Sequence, residues 1–318
     1  APAGASRIVL IYMPFDQGSW GEGKSLSIND MTDLETESIG FMSRGQISDL
    51  VSNNLGAYWY LYGELNRFHY IEGRDFAPVF HYYASHIRSV DSSANILGPS
   101  ILNWDYTCNG CAGMQYCDDK LVSGYSCGKK WMKSFFEGYK DTFGTFPNVD
   151  RWIIDVYPID WKQIPNSVNL ADISINQILG FREYLNVQKE EGEFQSVYSD
   201  TPIWLMEMGL HVGYPKWSYQ DSKIVPEGDF SWNNVSEYLV KMLGWLDENH
   251  QDHKIEKWFL YSSWVDIVNV APDGYMGINL FEGDEIGVDL TCLGEIYKSW
   301  ATGLKNKYCN ADGTTRAE

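Results

Sequence analysis

The 318-residue chain is poor in positive charge, with 24 lysine and arginine residues against 43 aspartate and glutamate residues. Its formal net charge at pH 7 is therefore −19. Binding to phosphate backbones or to anionic membrane surfaces depends on lysine and arginine, so a surface of this charge repels both. We expect no nucleic-acid partner.

The sequence also lacks long hydrophobic runs and the glycine motif of dinucleotide-binding proteins. It contains no stretch of 18 apolar residues, so we expect no membrane-spanning helix. It has no G-x-G-x-x-G motif of the dinucleotide-binding type. His81 and His86 are five residues apart, unlike the i, i+4 histidines of a zinc peptidase helix, and are expected to be solvated. We therefore expect a functional site without cofactor or metal.

Cysteine is scarce but unevenly placed. Four of the six cysteines fall in the Gly/Asn/Asp-rich stretch 101–130, which has little apolar material to fold around, at positions 108, 111, 117 and 127. We predict an insertion stapled by disulfides; the alternative is a four-cysteine zinc site, because Cys108 and Cys111 have C-x2-C spacing. Cys292 and Cys309 flank the last predicted helix and are expected to pair. Paired cysteines and the small-residue opening 1–6 favour an extracellular protein.

Short apolar runs alternate with helix-period patterns, which is typical of parallel βα folds. At this length we expect a single domain over 1–318, and we predict an α/β fold with a (β/α)8 TIM-type barrel. Helical patterns cover residues 76–90, 235–246 and 293–304, and Asn233 or Asn234 is predicted to cap the second. The predicted strands are Arg7–Met13, Tyr58–Tyr62, Asn95–Pro99, Arg151–Tyr157, Pro202–Glu207 and Lys257–Trp264.

The barrel prediction has one irregularity, because six strand runs are found where eight are needed. Either two strands lie within residues 14–57, or the first run corresponds to the third barrel strand and the first two are lacking. The second alternative fits better, since the gap before Tyr58 holds one loop and one helix. Residues 14–57 and 101–130 exceed ordinary loop lengths, and both are candidate cleft walls or surfaces for self-assembly or another partner.

Two glutamates come where predicted strands end. Glu64 follows the run ending at Tyr62, and Glu207 closes the fifth run. The carboxyl ends of barrel strands form the functional face, and a cleft with two carboxylates is the requirement for glycoside hydrolysis. The structural alternatives are a helix N-terminal carboxylate for Glu64 and an ion-paired rim residue for Glu207.

Aromatic residues are abundant, at 15% of the chain with 13 Trp and 21 Tyr. Flat aromatic rings can stack on the C–H faces of sugars, although packing between barrel and helices also uses them. Asn103 and Trp104 follow the strand ending at Pro99, so they are candidate ligand contacts or loop filler. We expect a carbohydrate ligand.

The segments around the two glutamates resemble motifs of the retaining glycoside hydrolases of clan A. Tyr62-Gly63-Glu64-Leu65-Asn66 resembles the "Asn-Glu-Pro" signature of their strand four. Residues 203–209, Ile-Trp-Leu-Met-Glu-Met-Gly, are similar to their strand-seven motif "W-[LI]-T-E-[FM]-G". Further similar passages follow the family's order, and the resemblance spans residues 58–304; the passages are 91–99, 152–157, 257–264, 275–281 and 290–294.

This resemblance implies a role for each matching residue. Glu64 would be the general acid/base and Glu207 the nucleophile of a retaining double displacement. Tyr157 would donate a hydrogen bond to Glu207, and Trp264 would form the floor of the subsite where the bond is cut. The ordinary alternatives are a core tyrosine at a strand end for Tyr157 and barrel filling for Trp264.

Two positions depart from the family pattern. Gly63 replaces the asparagine that precedes the acid/base, and Asp155, also a candidate substrate contact, replaces the strand-six histidine. Loss of a donor that strengthens in the transition state lowers the rate. The alternatives to an active hydrolase are therefore a catalytically impaired glycan-binding protein and a structural cell-surface protein on the same scaffold.

The charge balance yields a direct prediction. The purified protein should pass through a DNA or RNA column at physiological salt, because no excess of lysine and arginine is present to release counterions. Elution profiles at low and physiological salt test this, with a basic protein of similar size as the positive control. Salt-sensitive retention would contradict it.

Overall fold

The computed structural model describes residues 7–11, 44–66, 71–105, 127–158, 170–190, 196–214, 216–220, 223–228, 230–261, 278, 280–282, 289–304 and 307–317. Cys108, Cys111, Cys117 and Trp264 lie outside these ranges, as do residues 12–43. The chain forms two compact units. Unit 1 comprises Ala1–Asp155 and Gln177–Trp204, and unit 2 comprises Val156–Asn176 and Leu205–Glu318.

Described helices and strands alternate from residue 8 to residue 208, as the sequence predicts. The helices are α1 Arg44–Ser52, α2 Gly73–Val90, α3 Gly128–Phe143, α4 Leu170–Asn186, α5 Trp232–Asn249 and α6 Cys292–Ala301. The strands are β1 Ile8–Ile11, β2 Tyr58–Leu61, β3 Asn95–Ile96, β4 Trp152–Val156, β5 Ile203–Met208, β6 Trp217–Gln220, β7 Lys223–Pro226, β8 Ile255–Leu260, β9 Phe281–Glu282, β10 Asp289–Leu290, β11 Lys307–Cys309 and β12 Thr315–Ala317. In the described part of the chain, no helix combines the length and apolarity that a membrane crossing requires.

All six predicted strand runs form strands, which confirms the alternating α/β pattern. In unit 1, β1, β2 and β3 form a parallel sheet with Ile8 opposite Tyr58 and Tyr58 opposite Asn95. Parallel bridges at Leu97–Arg151 and Leu102–Asp155 link the segment after β3 to β4. Closure of the strands into a (β/α)8 barrel, and the single-domain organisation, remain predictions.

A second sheet has the strand order β4-β5-β8. The unit boundary passes through β4 and β5, so each unit contains part of their pairing. In unit 1 the Trp152 N–H donates to the Pro202 carbonyl oxygen at 2.9 Å, and in unit 2 the Gly209 N–H donates to the Val156 oxygen at 3.4 Å. These bonds advance together along both strands, as in a parallel pair.

Aromatic packing fills the core of unit 1, because the helices bury one apolar face against each other. Phe76 of α2 lies against Trp131 and Phe135 of α3, with ring centroids 5.8 and 6.3 Å apart. The two helices approach so closely at Gly138 that a Cβ there would lie 2.6 Å from the Arg74 Cα. Packing uses part of the aromatic surplus, since four of the tryptophans that the structure describes are fully buried; they are Trp59, Trp131, Trp152 and Trp204.

The structure corrects the predicted helix ends in unit 2. The side chain of Ser231, not Asn233 or Asn234, caps α5 by accepting the Asn234 N–H at 3.3 Å. The helix starts earlier than predicted because the buried Trp232 belongs to its first turn. Helix α6 stops at Ala301, since Gly303 adopts a left-handed φ of 80°. Leu304, which the predicted helical pattern included, lies beyond this end and is 69% exposed.

The predicted pairing of Cys292 with Cys309 is confirmed, with their Cα atoms 5.6 Å apart. The disulfide joins α6 to the hairpin of β11 and β12. Ser236 of α5 also accepts a hydrogen bond from the Cys309 N–H at 3.2 Å. The C-terminal tail is thus tied to two helices of unit 2.

The predicted staples within residues 101–130 fall mostly outside the described residues and remain a prediction. The described ends of this stretch lie in the core of unit 1, where Ile101, Leu102 and Cys127 are buried. The Cys127 Sγ lies 3.6 Å from the Trp104 carbonyl oxygen, and Lys129 donates its N–H to the same oxygen at 2.7 Å. These contacts hold the two ends of the stretch together.

Neither helix histidine is simply solvated, contrary to expectation. His86 Nε2 lies 3.0 Å from the Ser48 Oγ of α1. His81 lies between α2 and α3, where its Nδ1 is 2.8 Å from the Tyr139 hydroxyl and its ring stacks on Phe143 at 3.9 Å. Burial lowers the pKa of His81, because the charged imidazolium is less well solvated there than in the unfolded chain.

This lowered pKa predicts a loss of stability in mild acid. The folded state favours neutral His81, so its contribution is fully present above the ordinary histidine pKa of about 6.5 and is lost as the pH falls through the lowered pKa. The thermal midpoint of wild type should therefore fall more between pH 7.5 and 5 than that of His81→Gln. Equal falls in the two proteins would show that His81 does not contribute.

Candidate functional site

The loop after β2 in unit 1 holds Glu64 in an unusual backbone conformation. Glu64 has a φ of 44° and Tyr62 a φ of 61°. Both values lie in the left-handed region, which residues other than glycine seldom adopt. Glu64 is only 7% exposed, and the next residue, Leu65, donates its N–H to the Ser100 oxygen at 3.1 Å. Strain of this kind persists where surrounding contacts fix the backbone, and it is frequent at functional sites.

The amide of Asn66 provides one of these contacts. Its Nδ2 donates to the Leu102 carbonyl oxygen at 3.0 Å, and its Oδ1 accepts the Leu102 N–H at 2.8 Å. The side chain thus pairs with both polar groups of one peptide residue, as a neighbouring strand would. Asn66 is 4% exposed and Leu102 is fully buried, so these polar groups have little access to water. The two bonds supply the hydrogen-bond partners that water would otherwise provide.

The loop after β3 is tied to β4 around Asp155. Asn103, with a φ of 53° and no exposed surface, donates its N–H to the Asp155 carbonyl oxygen at 2.8 Å. The Asp155 N–H donates in turn to the Ile101 oxygen at 3.0 Å. The Asp155 carboxylate accepts the Ser100 hydroxyl at 2.7 Å and is itself fully buried. Through these three hydrogen bonds, Asp155 fixes the position of the loop after β3.

Trp104 packs against α4. Its ring lies 5.5 Å from Phe181 and 5.0 Å from Tyr184, and a Cβ on Gly180 would lie 2.6 Å from the indole. Trp104 is 7% exposed, and its backbone N–H donates to the Gln177 Oε1 at 2.8 Å. Trp104 therefore packs within unit 1, and its role as a ligand contact stays a prediction.

In unit 2, the Tyr157 hydroxyl donates to the Glu207 Oε2 at 2.7 Å. Tyr157 follows β4 directly and Glu207 is the fifth residue of β5, so the side chains meet where the two strands end. Tyr157 is 2% exposed, whereas Glu207 is half-buried. A hydrogen bond donated to a carboxylate favours its ionised form and fixes one of its oxygens.

Two residues that the sequence analysis missed lie beside this pair. The His211 ring is 2% exposed and lies over the Tyr157 ring at 5.6 Å, with 28° between the planes. Tyr261 meets Tyr157 edge-on at 6.2 Å and is 39% exposed. Their only sequence signal is position, since His211 is the third residue after β5 and Tyr261 the first after β8.

The predicted site residues thus fall into two groups. Unit 1 contains Glu64, Asn103, Trp104 and Asp155, and unit 2 contains Tyr157 and Glu207. The described residues of the chain include no group of three or more His, Cys, Asp or Glu side chains that could hold a metal ion.

Comparison with known proteins finds no matching family model and no matching curated protein. Among solved structures, the chain is similar to a GH128 (subgroup II) endo-β-1,3-glucanase from Pseudomonas viridiflava, with 16% identity, a TM-score of 0.48, and coverage of 81% of this chain and 75% of that one. An endo-β-1,4-mannanase from Thermotoga petrophila gives 13% identity, a TM-score of 0.47, and coverage of 88% and 55%. A GH128 (subgroup V) exo-β-1,3-glucanase from Cryptococcus neoformans gives 13% identity, a TM-score of 0.42, and coverage of 92% and 77%. These TM-scores are below 0.5, so function has to be argued from the side chains.

The Asn66 contact predicts a measurable loss of stability. Asn66→Ala should lower the free energy of unfolding by about 1–3 kcal/mol, because it leaves the buried N–H and C=O of Leu102 without their partner. Denaturant unfolding measures the change. Asn53→Ala is the matched control: its exposed amide donates to the Asp49 oxygen at 2.8 Å, and its loss should cost less than about 0.5 kcal/mol. Equal losses in both variants would contradict the prediction.

Proposed function

We propose that this protein is a glycoside hydrolase that cleaves a polysaccharide or oligosaccharide by a retaining double displacement. The observation that carries the proposal is the 2.7 Å hydrogen bond from the Tyr157 hydroxyl to the Glu207 carboxylate. It combines a carboxylate at the end of a buried strand with a phenol that orients it. The resemblance to clan A, in which residues at these positions have those roles, supports the same assignment.

Glu207 is assigned the role of nucleophile. Tyr157 donates to Oε2, which directs the carboxylate while it remains half-buried. An oriented carboxylate can attack the anomeric carbon, forming a covalent glycosyl ester as the leaving group departs. Tyr157 then acts through Glu207 by restricting the directions in which the carboxylate can turn.

Glu64 is assigned the role of general acid and base. A general acid has to hold a proton near neutral pH, which a carboxyl group shielded from water does more readily. Glu64 is 7% exposed, and its backbone is fixed by the neighbouring Leu65–Ser100 bond. It would protonate the leaving oxygen in the first step and take a proton from water in the second.

The fold and location belong to the same proposal. Six strand runs separated by helices suit a TIM-type barrel, whose functional groups lie at the carboxyl ends of strands. The Cys292–Cys309 disulfide is compatible with an extracellular protein acting on carbohydrate. The proposed mechanism uses two carboxyl groups and requires no cofactor.

A catalytically impaired glycan-binding protein is the second candidate, and the surroundings of Gly63 favour it. A Cβ on Gly63 would lie 3.1 Å from the Tyr60 hydroxyl, so the asparagine of the family pattern would require Tyr60 to shift. Asp155, in place of the family histidine, is fully buried. If the wild type binds a glycan without cleaving it, Gly63→Asn is the first reversion to test.

Replacement of Glu207 and replacement of Glu64 should have different effects on turnover. Glu207→Gln should abolish turnover, because the amide cannot form the glycosyl ester. Glu64→Ala should retain activity on substrates with good leaving groups, which need no proton, and added azide should restore the second step. Initial rates on a panel of glucans, mannans, xylans and aryl glycosides measure both effects.

Glu183→Gln provides the matched control, since Glu183 is exposed on α4 and should leave turnover unchanged. Wild-type turnover that survives in both Glu207→Gln and Glu64→Ala would refute the assignment. Binding without turnover by the wild type would instead support the impaired glycan-binding alternative.

A further inference from the structure

Tyr157 is surrounded by aromatic side chains of unit 2 in a defined arrangement. His211 lies over its ring at 5.6 Å with 28° between planes, and Tyr261 meets it edge-on at 6.2 Å and 80°. His211 also contacts Tyr261 at 5.9 Å and Tyr214 at 6.4 Å. The Tyr157 ring is therefore packed on its face and at its edge.

The orientation of this ring controls the hydrogen bond to Glu207. A phenolic hydrogen lies in the plane of the ring, because an oxygen lone pair is conjugated with the ring. Rotation of the ring about its axis leaves the oxygen in place but turns the O–H away from the acceptor. A hydrogen bond weakens steeply as its angle departs from linear, so the 2.7 Å contact with Glu207 needs a fixed ring plane.

His211 is well held for this purpose. It is 2% exposed, and it opens a turn in which Tyr214 donates its N–H to the His211 oxygen at 3.2 Å. Gly213 permits the turn with a φ of 76°, and its N–H donates to the Phe230 oxygen at 2.7 Å. The main chain that carries the imidazole is thus fixed by hydrogen bonds that do not involve Tyr157.

We propose that His211 is a positioning residue that fixes the plane of the Tyr157 ring and thereby directs the Tyr157 hydroxyl at Glu207. Its effect on catalysis rests on the proposed function, whereas its effect on the hydrogen bond does not. The ring of His211 acts as a flat packing surface, so an aromatic replacement should preserve the role.

The kinetic test combines single and double variants. His211→Leu, which keeps volume without a flat ring, should lower kcat about tenfold with KM within about twofold, because an oriented Glu207 matters in the transition state. His211→Phe should restore most of kcat. In a Tyr157→Phe background, His211→Leu should change kcat by less than about twofold, since the hydroxyl it orients is gone.

The matched control is His253→Leu, which removes a histidine stacked on Trp245 at 5.7 Å and 16° elsewhere in unit 2. It should leave kcat unchanged. An equal loss in the Tyr157→Phe background, a loss that His211→Phe does not restore, or no loss in His211→Leu would each overturn the proposal.

A second measurement does not depend on turnover. The Glu207 carboxyl carbon can be titrated by NMR in protein labelled with ¹³C-glutamate and assigned by its absence in Glu207→Gln. Loss of a donor to the ionised carboxylate should move the titration midpoint upward in Tyr157→Phe and in His211→Leu, but not in His211→Phe. An unchanged midpoint in His211→Leu would refute the positioning role, whereas an inert wild type would refute only the proposed function.

Discussion

Parallel pairing of the strands is the interaction on which the rest of the structure depends. Two parallel strands cannot be joined by a tight turn, so each pair requires a crossover, and here helices supply it between β1, β2, β3 and β4. Because the strands run in the same direction, the carboxyl ends of neighbouring strands lie at one edge of the sheet. The loop after β2 therefore meets the segment after β3, and that segment meets the end of β4.

Polar groups buried at those strand ends make the loops rigid. Asn66 satisfies both polar groups of Leu102, and Ser100 donates to the Asp155 carboxylate. Buried polar groups are costly unless they are paired, so each pair specifies one arrangement of its loop. This explains how the positive φ angles of Glu64 and Asn103 persist, since the backbone on each side of these residues is already fixed.

Aromatic residues serve two purposes in this chain. In unit 1 they fill the layer between helices, as Trp131 and Phe135 of α3 do against α2. In unit 2, His211 packs on the face of the Tyr157 ring and Tyr261, which is 39% exposed, packs at its edge. Packing that fixes a hydrogen-bond donor contributes to chemistry as well as to stability, because a carboxylate nucleophile has to be oriented before it can react.

The sequence by itself determined the six strand runs, the three helical patterns, the pairing of Cys292 with Cys309, and the position of Glu207 and Tyr157 at strand ends. These features depend on local periodicity and on the rule that parallel strands present their carboxyl ends together. Only the tertiary structure decided that Asp155 is fully buried against Ser100, that Trp104 packs on α4, and that His211 lies over Tyr157. Each of those contacts joins residues far apart in the chain or depends on a turn geometry with no periodic signal. The start of α5 shows that local sequence signals are insufficient even at short range. Asn233 and Asn234 have side chains suited to capping, yet the helix starts at the buried Trp232 and Ser231 caps it.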